Sequence, residues 1–339
     1  MRKLIIDADT GSDDAVALVM AMRNLPKDSI LGITIASGNV PLEQGIANAL
    51  YVNELCGMNI PVYAGESSPI ARSYIELDNM EEATKHAISE SPVSTSAQYV
   101  HGADGLWDIG FQPQESQFEQ ESSLDFYKEA LSNNSDVEIV ALGPLSNIAK
   151  LVQEEPELIS SIKHCYIMGG CSNGVGNITK TAEYNFWVDP EAADIVLKST
   201  IPITVIGWDP SYLDGTLDRK KVKEIDEINT EYSKFTNGVF EKVRVLVLDI
   251  LGQDSYSLPD PLAMAVFLNE DIISESIEAN MVVDTRDGPT RGACIIDFMD
   301  IEMNPRKVRI VQRCDNNKFF DLLKKSLVEW ITYQQFLNL

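Results

Sequence analysis

The apolar residues of this chain fall in short, almost unbroken runs. Residues 4–6, 30–36, 137–142, 164–168 and 201–206 are apolar almost continuously. Strands buried on both faces read this way. Between the runs the period changes. Ala15, Leu18, Val19 and Met22 recur at helical spacing; Ile46, Ala49, Leu50 and Asn53 form a weaker stripe; Ile148, Leu151 and Val152 repeat it. Strands alternating with helices predict βαβ units, and therefore an α/β fold with an open, mostly parallel sheet and helices on both faces.

Two stretches interrupt the alternation. Residues 66–136 begin polar and then carry His101-Gly102-Ala103-Asp104-Gly105. Residues 212–258 read as a small helical lobe. Both are expected inside a single domain, 1–339, as a lid or rim over a site. Further on, residues 290–292 and 308–311 read as antiparallel tail strands, and 318–327 as a closing amphipathic helix.

Composition narrows the function classes. The chain has 339 residues, 44% of them apolar, enough for a sizeable core. Its 27 basic and 52 acidic side chains leave a net charge of −25, which argues against nucleic acid and against an anionic membrane as partner. The 5 cysteines form no Cys-x-x-Cys pair, and reduced thiols are expected. With no export signal and no apolar stretch of about 18 residues, a cytoplasmic protein without a membrane span is expected.

The chemistry concentrates after the strand-like runs. The first leads into Asp7-Ala8-Asp9-Thr10-Gly11-Ser12-Asp13-Asp14, the second into Ser37-Gly38-Asn39, the third into Leu142-Gly143-Pro144. The fourth leads through Gly169-Gly170 to Asn177, and the fifth into Gly207-Trp208-Asp209. In an open parallel sheet, ligands bind outside the carboxyl ends of the strands, so these clusters should meet at one crevice. Ser12 as N-cap would put Asp13 and Asp14 in a first helical turn, where the dipole favours anions. Capping does not explain Asp7 and Asp9. The crowded carboxylates read either as a hydrogen-bonded turn or as a site for a hard divalent cation, Ca²⁺ or Mg²⁺ rather than Zn²⁺. Gly11 breaks both the haloacid-dehalogenase pattern and the EF-hand loop. No phosphate-binding loop or nucleophile elbow is present, and 3 histidines leave few members for a serine triad.

The segment from Asp7 to Ala15 resembles the N-terminal signature of the nucleoside hydrolases, the inosine–uridine nucleoside N-ribohydrolases. The resemblance continues through Gly38-Asn39, His101-Gly102-Ala103-Asp104-Gly105-Leu106 and Leu142-Gly143-Pro144-Leu145-Ser146-Asn147. It extends to Met168-Gly169-Gly170, Gly176-Asn177, the block from Ala182 to Ala193, Asp260-Pro261-Leu262-Ala263 and Thr290-Arg291-Gly292. It implies the Rossmann-like fold of that family and Ca²⁺-dependent hydrolysis of the N-glycosidic bond of ribonucleosides, through an oxocarbenium-like transition state. Carried over residue by residue, Asp9, Asp14, Asp260 and the Leu142 carbonyl would hold Ca²⁺, and Asp9 would deprotonate the metal-bound water. Asp13 and Asn39 would grip the 2′-hydroxyl; Asn177, Glu183 and Asn185 would grip the 3′- and 5′-hydroxyls. His101, Tyr184, Trp208 and Tyr256 are the candidate base contacts. Many members have a histidine where this chain has Pro259, so protonation of the leaving base by that residue is not implied, and base specificity stays open. The resemblance also implies a homodimer or homotetramer. Asp189-Pro190 reads as a helix N-terminus, and 290–292 as structural. A ribose- or nucleoside-binding protein with little or no turnover is the competing reading on the same fold.

Overall fold

The computed structural model describes residues 2–71, 97–108, 118–301 and 306–329; parts of the expected lid stretch 66–136, at 72–96 and 109–117, lie outside them. In chain order the strands are β1 (Lys3–Ala8), β2 (Ile30–Ile35), β3 (Val62–Ala64), β4 (Glu119–Ser122), β5 (Val137–Ala141) and β6 (Ile162–Met168). They continue with β7 (Ile203–Ile206), β8 (Thr216–Asp218), β9 (Ser255–Ser257), β10 (Ile273–Val283), β11 (Cys294–Asp297) and β12 (Val308–Cys314). The helices are α1 (Ser12–Asn24), α2 (Leu42–Leu55), α3 (Gln98–His101), α4 (Ser123–Asn133), α5 (Ser146–Glu154) and α6 (Tyr184–Val188). After them come α7 (Pro190–Lys198), α8 (Trp208–Leu213), α9 (Arg219–Ile228), α10 (Glu231–Leu251), α11 (Pro259–Leu268) and α12 (Asn316–Leu327).

Ten strands form one sheet in the order β11-β10-β12-β7-β6-β5-β1-β2-β3-β4. From β12 to β4 every neighbouring pair is parallel. The chain winds outward from β1 through β2, β3 and β4, and in the opposite direction from β5 through β6 and β7. The winding reverses between β1 and β5, where Asp7 is level with Ala141. Loops leaving two such strands diverge and open a crevice at their carboxyl ends.

Alternation along β1 serves two cores. Leu4, Ile6 and Ala8 pack among residues of α1, α11 and α12, whereas Ile5 packs with residues of α4, α5 and α7 on the other face. Asp7 lies inside the protein as well. It accepts hydrogen bonds from Thr34 Oγ1, Tyr127 Oη and Asn147 Nδ2. Asp7 is therefore held in this internal network, whereas Asp9, just beyond the strand, enters the crevice.

The N-cap of α1 is Gly11, not Ser12. Asp14 supplies the capping interaction from within the helix, its Oδ2 accepting from the Gly11 N–H at 2.9 Å and its Oδ1 from the Asp9 N–H at 3.2 Å. Ser12 is engaged elsewhere, its hydroxyl 2.7 Å from His101 Nδ1. Asp189 does cap α7, accepting from the Ala192 N–H, with Pro190 in the first turn.

The tail differs from the expected strand pair. β12 does run antiparallel to a neighbour, but that neighbour is β10. Residues 290–292 form part of the turn between β10 and β11, where Gly292 takes a φ of +81° and donates to the Asp284 carbonyl at 2.8 Å. β10 mixes exposed and half-buried positions over its first half and alternates buried and half-buried ones over its second, so it lacks the continuous apolar run that marks the central strands. The 212–258 lobe holds α9 and α10 as expected, and also the antiparallel pair β8–β9, which ties its two ends together. No helix among the described residues is long and apolar enough to cross a membrane.

Candidate active site

Asp9 is fully buried where the chain leaves β1. It accepts from the Asn39 N–H at 2.6 Å and from Asn39 Nδ2 at 3.2 Å. Two glycines leave room for it. A Cβ on Gly38 would overlap Asp9 Oδ2, and one on Gly143 would stand 2.7 Å from Oδ1. The loops after β2 and β5 thus close on this carboxylate from both sides.

Asp13 and Asp14 lie in the first turn of α1, and Asp260 in the first turn of α11. One carboxylate oxygen from each lies within 4.8 Å of the others. Two helix N-termini therefore converge on one acidic group, and their dipoles favour the negative charge gathered there. Burial pushes Asp9 well above the usual carboxylate range, and Asp14 adds to the shift. Burial, with Asp14 beside it, raises Asp13 to about 7. Asp260 is also well raised, by burial and then by Asp13, Asp14 and Asp9. Asp13 Oδ1 has no hydrogen-bond partner. A buried, crowded set of hard oxygens fits a divalent cation of the calcium or magnesium type.

A cavity of about 520 Å³ opens over this group. At its polar end are Asn177, Glu183 and Asn185. Glu183 is the N-cap of α6 and accepts from the N–H groups of Gly170 at 2.8 Å and Asn185 at 2.9 Å. Burial raises it to about 7 in spite of these bonds. Asn185 donates through Nδ2 to the carbonyls of Leu142 at 2.7 Å and Met168 at 3.2 Å. Asn177 Oδ1 accepts from the Tyr184 N–H at 2.9 Å. Glu183 has extended backbone and Asn185 is helical, yet both line the cavity, because the helix begins between them.

The rest of the lining is aromatic and aliphatic. Trp208, Tyr212, Phe240, Val243 and Tyr256 belong to it, with Thr216, Gln253, Ser255 and Ser257 among them. Tyr256 is buried and stacks on Phe240 at 4.8 Å and 13°. Tyr184 is anchored by its hydroxyl, which donates to the Gly38 carbonyl at 2.8 Å. His101 is buried against α1, where Nδ1 accepts from the Ser12 N–H at 3.2 Å. Burial lowers His101 to about 4, so its ring is neutral near pH 7 and carries its proton on Nε2. Lys242 of α10 holds the same loop by donating to the Trp107 carbonyl at 2.9 Å. Phe240, Tyr212, Thr216 and Ser257 were not among the sequence candidates. They come from the 212–258 lobe, whose residues match no motif; the apolar stripe of α10 is the one signal that could have drawn attention to Phe240.

The family model for inosine-uridine preferring nucleoside hydrolase matches residues 4–321. The chain belongs to the nucleoside hydrolase family. An uncharacterized protein of Schizosaccharomyces pombe is 30% identical over 96% of this chain and 98% of its own. The pyrimidine-specific ribonucleoside hydrolase RihB of Escherichia coli is 28% identical over 97% and 98%. Among solved structures, a purine-preferring ribonucleoside hydrolase from Gardnerella vaginalis superimposes with a TM-score of 0.83 at 29% identity, covering 96% of this chain and 98% of that one. This nucleoside hydrolase is accordingly a glycosidase acting on N-glycosyl bonds. The family is metal-dependent in general, in keeping with the Asp13–Asp14–Asp260 group.

Proposed function

We propose that this nucleoside hydrolase cleaves ribonucleosides to ribose and free base with a calcium ion held by Asp9, Asp14, Asp260 and the Leu142 carbonyl. The observation that carries the reading is the meeting of Asp9, Asp13, Asp14 and Asp260 beneath a cavity that is polar at one end and aromatic at the other. When bound, the cation supplies charge neutralisation and makes a neighbouring water easier to deprotonate. Calcium's acceptance of many oxygen ligands in flexible geometry suits a mixed set of one backbone carbonyl and carboxylates from a loop and two helices.

Asp9 is the general base in this reading. Asn39 holds its carboxylate in one orientation beside the other proposed cation ligands, as a base that takes a proton from the attacking water requires. The hydrogen-bonding capacity left on the neighbouring side chains suits ribose hydroxyls. Asn39 gives both amide hydrogens to Asp9 and Asp14, leaving Oδ1 to accept from the 2′-hydroxyl beside Asp13. Asn185 likewise uses Nδ2 on two carbonyls and keeps Oδ1 as an acceptor, while Asn177 keeps Nδ2 as a donor; with Glu183 they serve the 3′- and 5′-hydroxyls. The Asp9, Asp13 and Glu183 carboxylates would stabilise positive charge growing on the ribosyl ring.

The base would lie against Trp208, Tyr256 and Tyr184, with the His101 Nε2–H as a hydrogen-bond donor. Pro259 takes the first position of α11, so no imidazole adjoins Asp260 there. The relatives' names include both pyrimidine-specific and purine-preferring enzymes, and both classes are open to this chain. We also propose that the chain acts as one domain, as a cytoplasmic homodimer or homotetramer.

The test is a reducing-sugar assay with inosine, uridine, adenosine, guanosine and cytidine, before and after exhaustive dialysis against EGTA. Ribose release that is lost on dialysis and restored by Ca²⁺ supports the reading. Nucleoside binding without release from any of the five would favour the binding-protein alternative.

A further inference from the structure

The aromatic end of the cavity carries one pair of hydroxyls whose protons can be assigned. β8 and β9 pair Thr216 directly with Ser257, and both residues line the cavity. Thr216 Oγ1 lies 2.7 Å from the Tyr212 carbonyl and 2.9 Å from Ser257 Oγ. A carbonyl can only accept, so the first contact uses the single proton of Thr216. The second contact must then take its proton from Ser257. Ser257 is left with lone pairs and no proton to give.

We propose that Ser257 is a specificity-determining residue that accepts a hydrogen bond from an exocyclic amine on the leaving base, so that the enzyme favours amino-bearing nucleosides. The inference rests on the proposed function, because it takes the aromatic end of the cavity as the base site. Ser257 stands three residues before Asp260, and it lines the cavity together with its cross-strand partner Thr216. An amine projects furthest from a heterocycle and offers two N–H donors. A carbonyl in the same place would face the lone pairs of a hydroxyl whose proton is already committed. Sites built to pair a donor discriminate against analogues lacking it, because the acceptor is left unmatched.

The experiment compares kcat/KM for adenosine against purine riboside, and for cytidine against uridine, in the wild-type enzyme and two variants. Ser257→Ala removes the acceptor and should lower the adenosine:purine riboside ratio by roughly 3- to 10-fold, the effect of one lost hydrogen bond. Working with the change in a ratio cancels the different intrinsic reactivity of the two bases. Thr216→Val leaves Ser257 in place but frees its proton, so Ser257 can also donate to a carbonyl. That variant should lower the cytidine:uridine ratio by raising turnover of uridine. Equal losses for every substrate in Ser257→Ala, or ratios that neither variant moves, would overturn the proposal while leaving the ribohydrolase reading intact. Absence of base release from all four nucleosides in the wild-type enzyme would overturn that reading, and this proposal with it.

Discussion

Asn39 joins two carboxylates of the site: its Nδ2 donates to Asp9 Oδ1 at 3.2 Å and to Asp14 Oδ2 at 3.0 Å. Its backbone N–H also donates to Asp9 Oδ2, at 2.6 Å. One residue on the loop after β2 therefore fixes the rotamers of the proposed base, from the loop after β1, and of a proposed cation ligand, from the first turn of α1. Two buried anions held side by side require donors between them, and an amide supplies both without adding charge.

Asn39→Ala should accordingly lower activity by more than the loss of one substrate contact. Partners that orient ligands are typically worth 10- to 100-fold in activity or metal affinity, and a loss of about that size in kcat is expected. Steady-state kinetics checks it, with Ca²⁺ titration calorimetry alongside. A change confined to KM would mean that Asn39 touches only the ribose.

Gly38 tests the same carboxylate by a steric route. A Cβ there would overlap Asp9 Oδ2. The position needs glycine for close approach rather than for a left-handed backbone, since Gly38 is not among the positive-φ glycines. Gly38→Ala should keep the fold, read by circular dichroism, while kcat falls on the order of 100-fold from displacement of the base. Near-normal kcat would show that Asp9 can shift without consequence.

Asp260 reaches the site from a different part of the chain, so its removal should weaken the cation without unsettling the loop after β1. Asp260→Asn keeps the shape and removes one charge from the oxygen set. Calorimetric affinity for Ca²⁺ should fall roughly tenfold or more. Unchanged affinity would exclude Asp260 as a ligand.

The parallel sheet was legible because its central strands are buried on both faces and so are apolar at most positions. The acidic loop was legible for a related reason: once the strands were placed, the topology left one crevice for the polar residues that follow them. Other features depended on contacts that local sequence does not encode. Asp7 and Asp9 differ in role because Thr34, Tyr127 and Asn147, all far away in the chain, capture Asp7. Ser12 has the composition of an N-cap, but His101 competes for it and Asp14 closes the helix start instead. Phe240 of the aromatic wall escaped notice because it meets Tyr256 only after α10 folds back onto β9.

Glu183 offers a test through pH. Its carboxylate is buried at the start of α6, and burial holds it at about 7, against 4.5 for an ordinary glutamate. Between those values the folded protein binds a proton that the unfolded chain releases. Stability from this residue is therefore greatest at low pH and declines as pH rises through that window, by an amount on the order of 1–3 kcal/mol. Glu183→Gln cannot ionise, and any packing or hydrogen-bonding penalty it carries is independent of pH. Measured in EGTA, so that cation binding does not enter, the melting temperature of Glu183→Gln should gain on the wild type steadily from pH 5 to pH 7. A gap that stays constant over that range would mean that Glu183 is already ionised at pH 5. The backbone N–H groups of Gly170, Asn185 and Phe186 would then outweigh burial, and Glu183 would meet a ribose hydroxyl as a full carboxylate at every pH at which the enzyme is stable.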